Sequence, residues 1–368
     1  MAQQESEMNT MVQKMDGQNY APEGVAVRVC GPGEFPVGVI GLDHGHIFGM
    51  CNGLSEAGAD IALVWDLDPA KIEDFCKRYP QAKAARCEAE VLEDPRIKLI
   101  ASAGIPDVRG TVGVAALEHG KDYFVDKPPM TTRAQVQSAR DAVRRTGGKF
   151  GVYYSERLHV ESAEKANELV KQGAIGRVVQ VMGWGPHRIS APTRPGWFFD
   201  RARYGGILVD IGSHQIEQIL TYAGTSDGQV VSSRIANYNH KEYPLYEDFG
   251  DATLTLDNGA VGYFRVDWFT PNGLRSWGDG RTVILGTDGY IELRKYLNVG
   301  EEKEGNHLFL VNHEGEQHLR VTGTYGYPFF GRFIRDCLDR TETAMGQAHA
   351  FRAIELAIEA QERAVQVE

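Results

Sequence analysis

The sequence predicts an α/β domain built on a doubly wound parallel sheet, followed by an α+β domain with an open, mostly antiparallel sheet and helices on one face. Three observations support this. The chain has 368 residues, enough for two domains of usual size. Up to about residue 155, short apolar strands alternate with helices, as in a doubly wound sheet. After residue 177, strand patterns and hairpin turns predominate, as in an antiparallel sheet.

The strands of the first domain are short apolar runs that end at a glycine or a polar residue. The helices between them carry capping and stop signals, such as Pro80 and the pair Gly147-Gly148. The predicted strands are 35–41, 61–65, 98–103, 122–125 and 149–154. The predicted helices are 43–58, 69–79, 108–119 and 132–146.

The second domain begins with a predicted helix over 160–173 and ends with one over 346–367. Asn258-Gly259 and Asp288-Gly289 are strong hairpin turns. The predicted strands are 177–183, 229–238, 251–257, 260–268, 281–286 and 289–294. We therefore assign residues 1–34 to an N-terminal extension, 35–155 to the first domain and 156–368 to the second.

The composition excludes several classes of protein. The net charge is −11, which opposes a phosphate-binding track for nucleic acid. No apolar run is long enough to cross a membrane, and the polar first 20 residues, expected to be frayed or wrapped on the surface, contain no signal core. The five cysteines form no CxxC pair, so free thiols in a reducing compartment are expected. These observations predict a cytoplasmic protein without a nucleic-acid or membrane partner.

Gly41 opens a strand-to-helix turn where a Rossmann domain carries the fingerprint G-x-G-x-x-G. The chain has Asp43 and His46 at the second and third glycine positions. An aspartate adds bulk and negative charge where the pyrophosphate approaches the backbone. Gly45 and Gly49 are candidates to relocate that approach, and His44 or His46 to offset the charge. The alternative is an altered loop that binds no cofactor.

Asp66 ends the second predicted strand, where a carboxylate binds the ribose 2′-hydroxyl of NAD. Leu67 follows instead of an arginine, so a 2′-phosphate would be repelled. The sequence therefore favours NAD over NADP. The alternative is that Asp66 is a loop or capping residue.

The chain resembles the Gfo/Idh/MocA family, the glucose–fructose oxidoreductase and inositol dehydrogenase group, over roughly residues 36–366. The resemblance depends on motifs that are specific in combination: VWDLDP at the second strand end, Asp126-Lys127-Pro128, Gly173-Ala-Ile-Gly176, Gly205-Gly206, Asp210-Ile-Gly-Ser-His214, Glu247-Asp248 and Gly286-Thr-Asp-Gly289.

The resemblance implies that Lys127, Asp210 and His214 surround the nicotinamide and the substrate. It also implies that Pro106 and Asp126 lie on the cofactor side, and that the protein is a homodimer or homotetramer. Two departures concern the cofactor side. One is the altered glycine loop, and the other is the sequence Pro106-Asp107-Val108-Arg109-Gly110, where the family usually has Pro-Asn-x-x-His.

These residues suit the oxidation of an alcohol. His214 is the candidate general base, because its ordinary pKa lies near neutral pH. If a helix covers 208–220, Asp210 shares a face with His214 and orients its ring or binds a substrate hydroxyl. Lys127 stabilises alkoxide character. The alternative for Asp210 and His214 is a helix cap beside a surface histidine. The alternative for Lys127 is a solvated lysine in a loop.

Residues after the last strand of the first domain and before the Asp210 motif are the candidate substrate contacts. Aromatic faces among polar groups suit sugar or cyclitol rings, although some of these aromatic side chains are expected in the core. Arg157 and Arg188 would also suit a substrate that carries a carboxylate. The candidates are Tyr154, Arg157, Trp184, His187, Arg188 and Trp197.

We predict that the chain binds no metal, because no dense ligand motif is present. The alternative is a zinc site formed by residues that converge on the cleft. The candidate ligands for it are Asp43, His44, His46, His187 and His214.

The sequence thus predicts an NAD(P)-dependent oxidoreductase that transfers a hydride between the nicotinamide and a hydroxyl or keto carbon of a sugar, a cyclitol or a related polyhydroxylated molecule. A second hypothesis is a redox-neutral enzyme that retains NAD and carries out elimination or glycosidic cleavage. A third is a non-catalytic dinucleotide or ligand sensor on the same scaffold.

Overall fold

The computed structural model describes residues 17, 20–24, 26–302 and 304–367. The sequence expectations for residues 1–16, 18 and 19 therefore lie outside the described part of the chain. The chain divides into two compact units. Among the described residues, the first contains those of 20–153 and 326–351, and the second contains residue 17 and those of 154–325 and 352–367.

The first unit contains a six-stranded parallel sheet in the order β3-β2-β1-β4-β5-β6, which confirms the predicted doubly wound fold. Every residue of β4, β5 and β6 is buried, as expected for strands covered on both faces. The strands are β1 (Pro36–Ile40), β2 (Asp60–Trp65), β3 (Lys83–Ala84), β4 (Leu99–Ser102), β5 (Asp122–Asp126) and β6 (Phe150–Tyr153). The helices are α1 (His46–Glu56), α2 (Pro69–Arg78), α3 (Glu88–Glu93), α4 (Pro106–Glu118) and α5 (Arg133–Thr146).

The first unit is larger than the segment 35–155 assigned to it from the sequence. Helix α11 (Pro328–Asp339) belongs to it, because aromatic side chains of that helix enter its core. Phe330 lies so close to α1 that a Cβ on Gly53 would come within 2.3 Å of its ring. The rings of Phe333 and Phe124 have centroids 5.1 Å apart. Short elements such as β3 and α3 left no clear periodicity in the sequence and were not predicted.

The second unit contains a nine-stranded sheet in the order β14-β13-β12-β11-β7-β10-β9-β8-β15. Most neighbouring strands are antiparallel, as predicted, while the pairs β7–β10 and β8–β15 are parallel. The strands are β7 (Val178–Pro186), β8 (Gly228–Ala236), β9 (Phe249–Leu256), β10 (Val261–Asp267), β11 (Arg281–Gly286), β12 (Gly289–Arg294), β13 (His307–Asn312), β14 (Gly315–Arg320) and β15 (Val365–Gln366). Strands β13 and β14 are additions to the sequence prediction.

One face of this sheet is buried beneath helices. Val181, Ile284, Ile291 and Leu310 lie opposite one another across β7, β11, β12 and β13, and each is at most 4% exposed. The helices of the unit are α6 (Ser155–Leu158), α7 (Glu161–Lys171), α8 (Arg201–Tyr204), α9 (Ile207–Asp210) and α10 (Gly212–Ala223), and α12 (Gln347–Arg363) has most of its length in this unit.

Helix α10 approaches the sheet closely because glycines lie beneath it. A Cβ on Gly183 would lie 2.3 Å from Oε1 of Gln215, and a Cβ on Gly262 would lie 2.6 Å from Ile219. The close approach fixes the height of α10 above β7 and β10. Among the described residues, we find no helix with the length and apolar character that crossing a membrane requires.

We predict that Phe330→Ala lowers the free energy of unfolding by about 3–5 kcal/mol, the usual cost of deleting a buried phenylalanine. Urea unfolding followed by hydrogen exchange should show the loss of protection in peptides from β1 and β5. Leu67→Ala is the control, because Leu67 is 87% exposed. Equal loss of protection in both units would contradict the assignment of α11 to the first unit.

Candidate active site

The turn after β1 keeps the geometry that the first fingerprint glycine provides. Gly41 has φ +86°, and a Cβ there would lie 2.9 Å from Cα of Gly104. Its backbone joins two neighbouring strand ends, since its N–H donates to Trp65 and its carbonyl accepts from Ala103. A side chain at position 41 would therefore disrupt the crossing of the loops after β1 and β4.

Asp43, at the second glycine position, is held by two partners. Its Oδ1 lies 2.5 Å from Nζ of Lys71, and its Oδ2 accepts a hydrogen bond of 3.2 Å from the N–H of Ile105. The carboxylate therefore links the loop after β1 to the first turn of α2 and to the loop after β4. The positive charge that pairs with Asp43 is therefore that of Lys71 and not that of His44 or His46.

Asp66 lies at the end of β2 and is 7% exposed. Its Oδ2 accepts from the N–H of Leu42 at 2.6 Å, and its Oδ1 accepts from the N–H of Asp68 at 2.8 Å. Each carboxylate oxygen can accept a further hydrogen bond. Asp66 therefore braces the turn after β1 and still has acceptor capacity for a ribose hydroxyl.

The start of α1 fits a dinucleotide phosphate. The first N–H groups of the helix have partners in the turn: that of His46 donates to Nδ1 of His44, and those of Ile47 and Phe48 donate to the carbonyls of His44 and Gly45. No acidic residue lies in its first turn. The positive end of the helix dipole favours an anion there. Together with Gly41 and Asp66, it forms a set of residues that fits NAD, whose diphosphate would lie near the start of α1.

A buried charged cluster surrounds Asp126 at the end of β5. Nδ1 of His46 lies 2.9 Å from Oδ1 of Asp126, and Nδ1 of His44 lies 3.4 Å from Oδ2. Arg109 donates to Oδ2 at 3.0 Å. Burial opposes ionisation of Asp126, but His46, Arg109 and His44 outweigh burial and hold its pKa far below the ordinary value. Burial, together with His46, lowers the pKa of His44 well below its usual value.

Arg109 fixes the backbone that carries Lys127. Its Nη1 donates to the carbonyl of Lys127 at 2.5 Å and to that of Pro128 at 3.0 Å, and its Nε donates to the carbonyl of Gly104 at 2.6 Å. The peptide bond between Lys127 and Pro128 is cis. Lys127 itself is 5% exposed, so it is not a solvated loop lysine. Pro106, the other predicted cofactor residue of this region, begins helix α4, which carries Arg109.

His44, His46 and Asp126 offer candidate metal-ligand atoms that lie within 4.8 Å of one another. The guanidinium of Arg109 is bound to the same carboxylate, and its positive charge opposes a cation at that position. The cluster therefore suits a network of hydrogen bonds better than a metal. The absence of a metal stays a prediction.

In the second unit, Asp210 and His214 lie on two successive helices instead of one. Asp210 is the last residue of α9, and His214 is in the first turn of α10, with Ile211 between the helices. Both are buried, with exposures of 9% and 1%. The side-chain oxygen of Ser213 donates to the carbonyl of Asp210. His214 is thus not a surface histidine.

The glycine pair before α9 turns the chain into this helix. Gly206 has φ +97°, and a Cβ there would lie 2.3 Å from the side chain of Gln361. Oε2 of Glu247 accepts from the N–H of Ile207 at 2.8 Å, and Oε1 of Gln361 accepts from the N–H of Leu208 at 3.0 Å. The Glu247 motif therefore caps the helix that carries Asp210.

Tyr154 and Glu156 lie beside α10. The rings of Tyr154 and His214 have centroids 6.1 Å apart in an edge-to-face arrangement. Glu156 is 2% exposed. Its Oε2 accepts from Gln215 at 2.9 Å and from Lys295 at 3.1 Å. Burial opposes ionisation of Glu156, but Lys295, His214 and His187 outweigh it and lower its pKa to about 2.

The two arginines predicted to contact substrate are bound to the protein instead. Arg157 is 5% exposed and pairs with Glu217 at 2.5 Å and Glu164 at 2.6 Å. Arg188 is 2% exposed and donates to three carbonyls of the loop that follows β10. These contacts favour structural roles and give no support to a carboxylated substrate.

The remaining predicted contacts have different surroundings. His187 donates from Nδ1 to the carbonyl of Gly185 at 3.1 Å, and its ring packs on Trp277. Trp197 lies half-buried in the short turn Gly196–Phe199. Gly183 and Gly185 face α10, so the alternation of a strand directs Trp184 to the opposite face of the sheet, and its contact with the substrate stays a prediction.

The charged cluster predicts a pH dependence of stability. Because the pKa of Asp126 is lower in the folded chain than the ordinary value of about 3.9, its ionised form stabilises the fold above that pH, and the stabilisation is lost as the pH falls toward the folded pKa. We expect the urea midpoint of Asp126→Asn to fall less than that of the wild type between pH 6 and pH 3. The exposed Asp74→Asn is the control, and parallel curves for all three proteins would contradict the account.

Two family models match the chain. The model described as an oxidoreductase family with an NAD-binding Rossmann fold matches residues 35–154, and the model of the GFO/IDH/MocA C-terminal domain matches residues 163–292. A solved protein from Erwinia carotovora atroseptica SCRI1043, which carries a provisional oxidoreductase assignment, is 48% identical, with a TM-score of 0.88 and coverage of 91% of this chain and 100% of that protein.

Two relatives from Bacillus subtilis (strain 168) have named activities. An NAD(+)-dependent scyllo-inositol 2-dehydrogenase is 27% identical over 64% of this chain and 67% of its own length. An NADP(+)-dependent scyllo-inositol 2-dehydrogenase is 21% identical over 52% of this chain and 54% of its own length. The alignments thus span between half and two thirds of these relatives. With both models matched and a close relative covered in full, the chain belongs to the GFO/IDH/MocA family of oxidoreductases.

Proposed function

We propose that the protein is an NAD-dependent dehydrogenase or reductase that acts on a hydroxyl or keto carbon of a sugar, a cyclitol or a related polyhydroxylated small molecule. The observation that carries the proposal is the burial of Lys127, Asp210 and His214 at the starts and ends of secondary-structure elements. Burying an ionisable group costs free energy unless the group is paired or hydrogen-bonded, and such groups cluster at functional sites. Relatives named as inositol dehydrogenases support the substrate class.

Each of the three residues has a role in the proposed mechanism. A ring nitrogen of His214 takes the proton of the substrate hydroxyl, and Asp210, four residues earlier, orients the ring or binds a neighbouring hydroxyl. The ammonium of Lys127 stabilises the negative charge on the substrate oxygen. The nicotinamide, when bound, supplies the hydride acceptor or donor.

We also propose that NAD is preferred over NADP. Asp66 and Asp43 carry two negative charges, and Lys71 contributes one positive charge between them, 2.5 Å from Asp43 and 4.0 Å from Asp66. The net charge therefore repels a ribose 2′-phosphate. Leu67, which is 87% exposed, offers no compensating charge.

We propose a homodimer or homotetramer in the cytoplasm, with a small molecule and no nucleic acid or membrane as the partner of the site. Trp184, Leu285 and Tyr290 are exposed on the sheet of the second unit, and burial of such side chains favours a contact between subunits. The five cysteines are free thiols, which suits a reducing compartment.

We expect Lys127→Met and His214→Ala each to lower kcat at least about 100-fold, since positioned acid–base groups contribute about 10²–10⁴-fold. The assay is NADH absorbance during incubation with NAD and a panel of inositols and sugars. Lys98→Met and His119→Ala are the matched controls, because both residues are exposed. Near-normal kcat in both site variants would refute the mechanism. Product formation without a net absorbance change would favour the redox-neutral alternative.

We expect Asp43→Asn to increase the affinity for NADPH about 10-fold relative to NADH, because it releases Lys71 to bind the 2′-phosphate. The double variant Asp43→Asn/Lys71→Met should lose that gain. Calorimetric titration measures the four dissociation constants without a substrate. An unchanged NADPH/NADH ratio in Asp43→Asn would show that Asp43 does not discriminate between the cofactors.

A further inference from the structure

Glu156 has one carboxylate oxygen fully engaged and one that is not. Oε2 accepts from Nε2 of Gln215 at 2.9 Å and from Nζ of Lys295 at 3.1 Å. Oε1 is buried and has no hydrogen-bond partner among the described residues. Nε2 of His187 lies 3.9 Å from Oε1, which is beyond hydrogen-bond distance. The carboxylate is therefore held in position through Oε2, while Oε1 receives no hydrogen bond from the described residues.

A buried acceptor without a donor is costly. Leaving a polar group unsatisfied costs about 1–3 kcal/mol and more for a charged group, and most buried polar atoms in proteins are paired. The oxygen of Glu156 is therefore expected to have a function or a bound partner that brings a hydrogen-bond donor.

The charge of Glu156 is already compensated. Lys295 is 2% exposed, and its ammonium forms an ion pair with Oε2. Burial lowers the pKa of Lys295, while Glu156 opposes that change. Because the pair is neutral overall, Oε1 favours a neutral donor such as a hydroxyl over a second cation.

Glu156 is also connected to the proposed base. Gln215, which holds Oε2, directly follows His214 on α10. The charge of His214 also acts on the Glu156 carboxylate, so the two side chains lie near one another. A substrate with two adjacent hydroxyls would then meet both side chains.

We propose that Glu156 accepts a hydrogen bond from a second substrate hydroxyl, next to the one that is oxidised, and so selects vicinal diols over simple alcohols. This role rests on the proposed function, which it extends from a reacting alcohol to a pair of hydroxyls. Lys295 and Gln215 are positioning residues that hold the carboxylate.

The test compares substrate selectivity in the full-length protein. A polyol that the wild type turns over is compared with its monodeoxy analogues, each of which lacks one hydroxyl. In the wild type, one analogue that retains the reacting hydroxyl should lose about 10–100-fold in kcat/KM, since a hydrogen bond to a charged group is involved. In Glu156→Gln that ratio should approach one. The amide is expected to turn its oxygen toward Lys295 and Gln215 and to present its NH₂ group to the substrate.

Two further variants keep the test independent of folding. Glu156→Asp preserves the charge but withdraws the acceptor, so it should lose the same selectivity. Glu161→Gln is the matched control, because Glu161 is buried in the same unit and accepts from the N–H groups of Gly323 and Tyr325. This control should keep the wild-type ratio.

The outcomes separate the two proposals. Turnover with the same diol preference in wild type, Glu156→Gln and Glu156→Asp would overturn the role of Glu156 and leave the proposed function intact. No turnover of any polyol by the wild type would overturn the proposed function, and with it this role of Glu156.

Discussion

The buried pair of Arg109 and Asp126 ties together the loops that follow β1, β4 and β5. His46 from the first loop and Arg109 from α4 converge on the Asp126 carboxylate, while Arg109 also holds the carbonyls of Gly104 and Lys127. Breaking a buried ion pair costs about 3–5 kcal/mol. The position of Lys127 and the shape of the dinucleotide turn therefore depend on this one pair.

The departures from the family fingerprint are coupled to one another. His46 stands at a glycine position of the fingerprint and Gly110 at the histidine position of the second motif, and the side chains of His46 and Arg109 both contact the Asp126 carboxylate. Asp43, which replaces another glycine, is compensated by Lys71. The pairing of these charges supports the proposal that the altered loop binds a dinucleotide, whereas isolated replacements would have argued against it.

The alternating strands and helices of the first unit could be predicted from the sequence, because each has a local pattern. The same holds for Gly41 and Asp66 at strand ends and for the motifs that contain Lys127 and His214. The sequence was insufficient where partners lie far apart in the chain. Lys71 with Asp43, Glu156 with Lys295 and α11 with Gly53 become neighbours only through the fold. The ion pair of Arg157 with Glu217, 60 residues away, has no local signal in the sequence for the same reason.

The central claim is that the altered turn still binds a dinucleotide, and calorimetric titration of cofactor-stripped wild-type protein with NAD, NADH, NADP and NADPH tests it most directly. The account predicts binding of NAD and NADH, with weaker binding of the phosphorylated pair. Failure of all four to bind would mean that Asp43 and the Asp126 cluster have closed the site, and the dehydrogenase assignment would be contradicted.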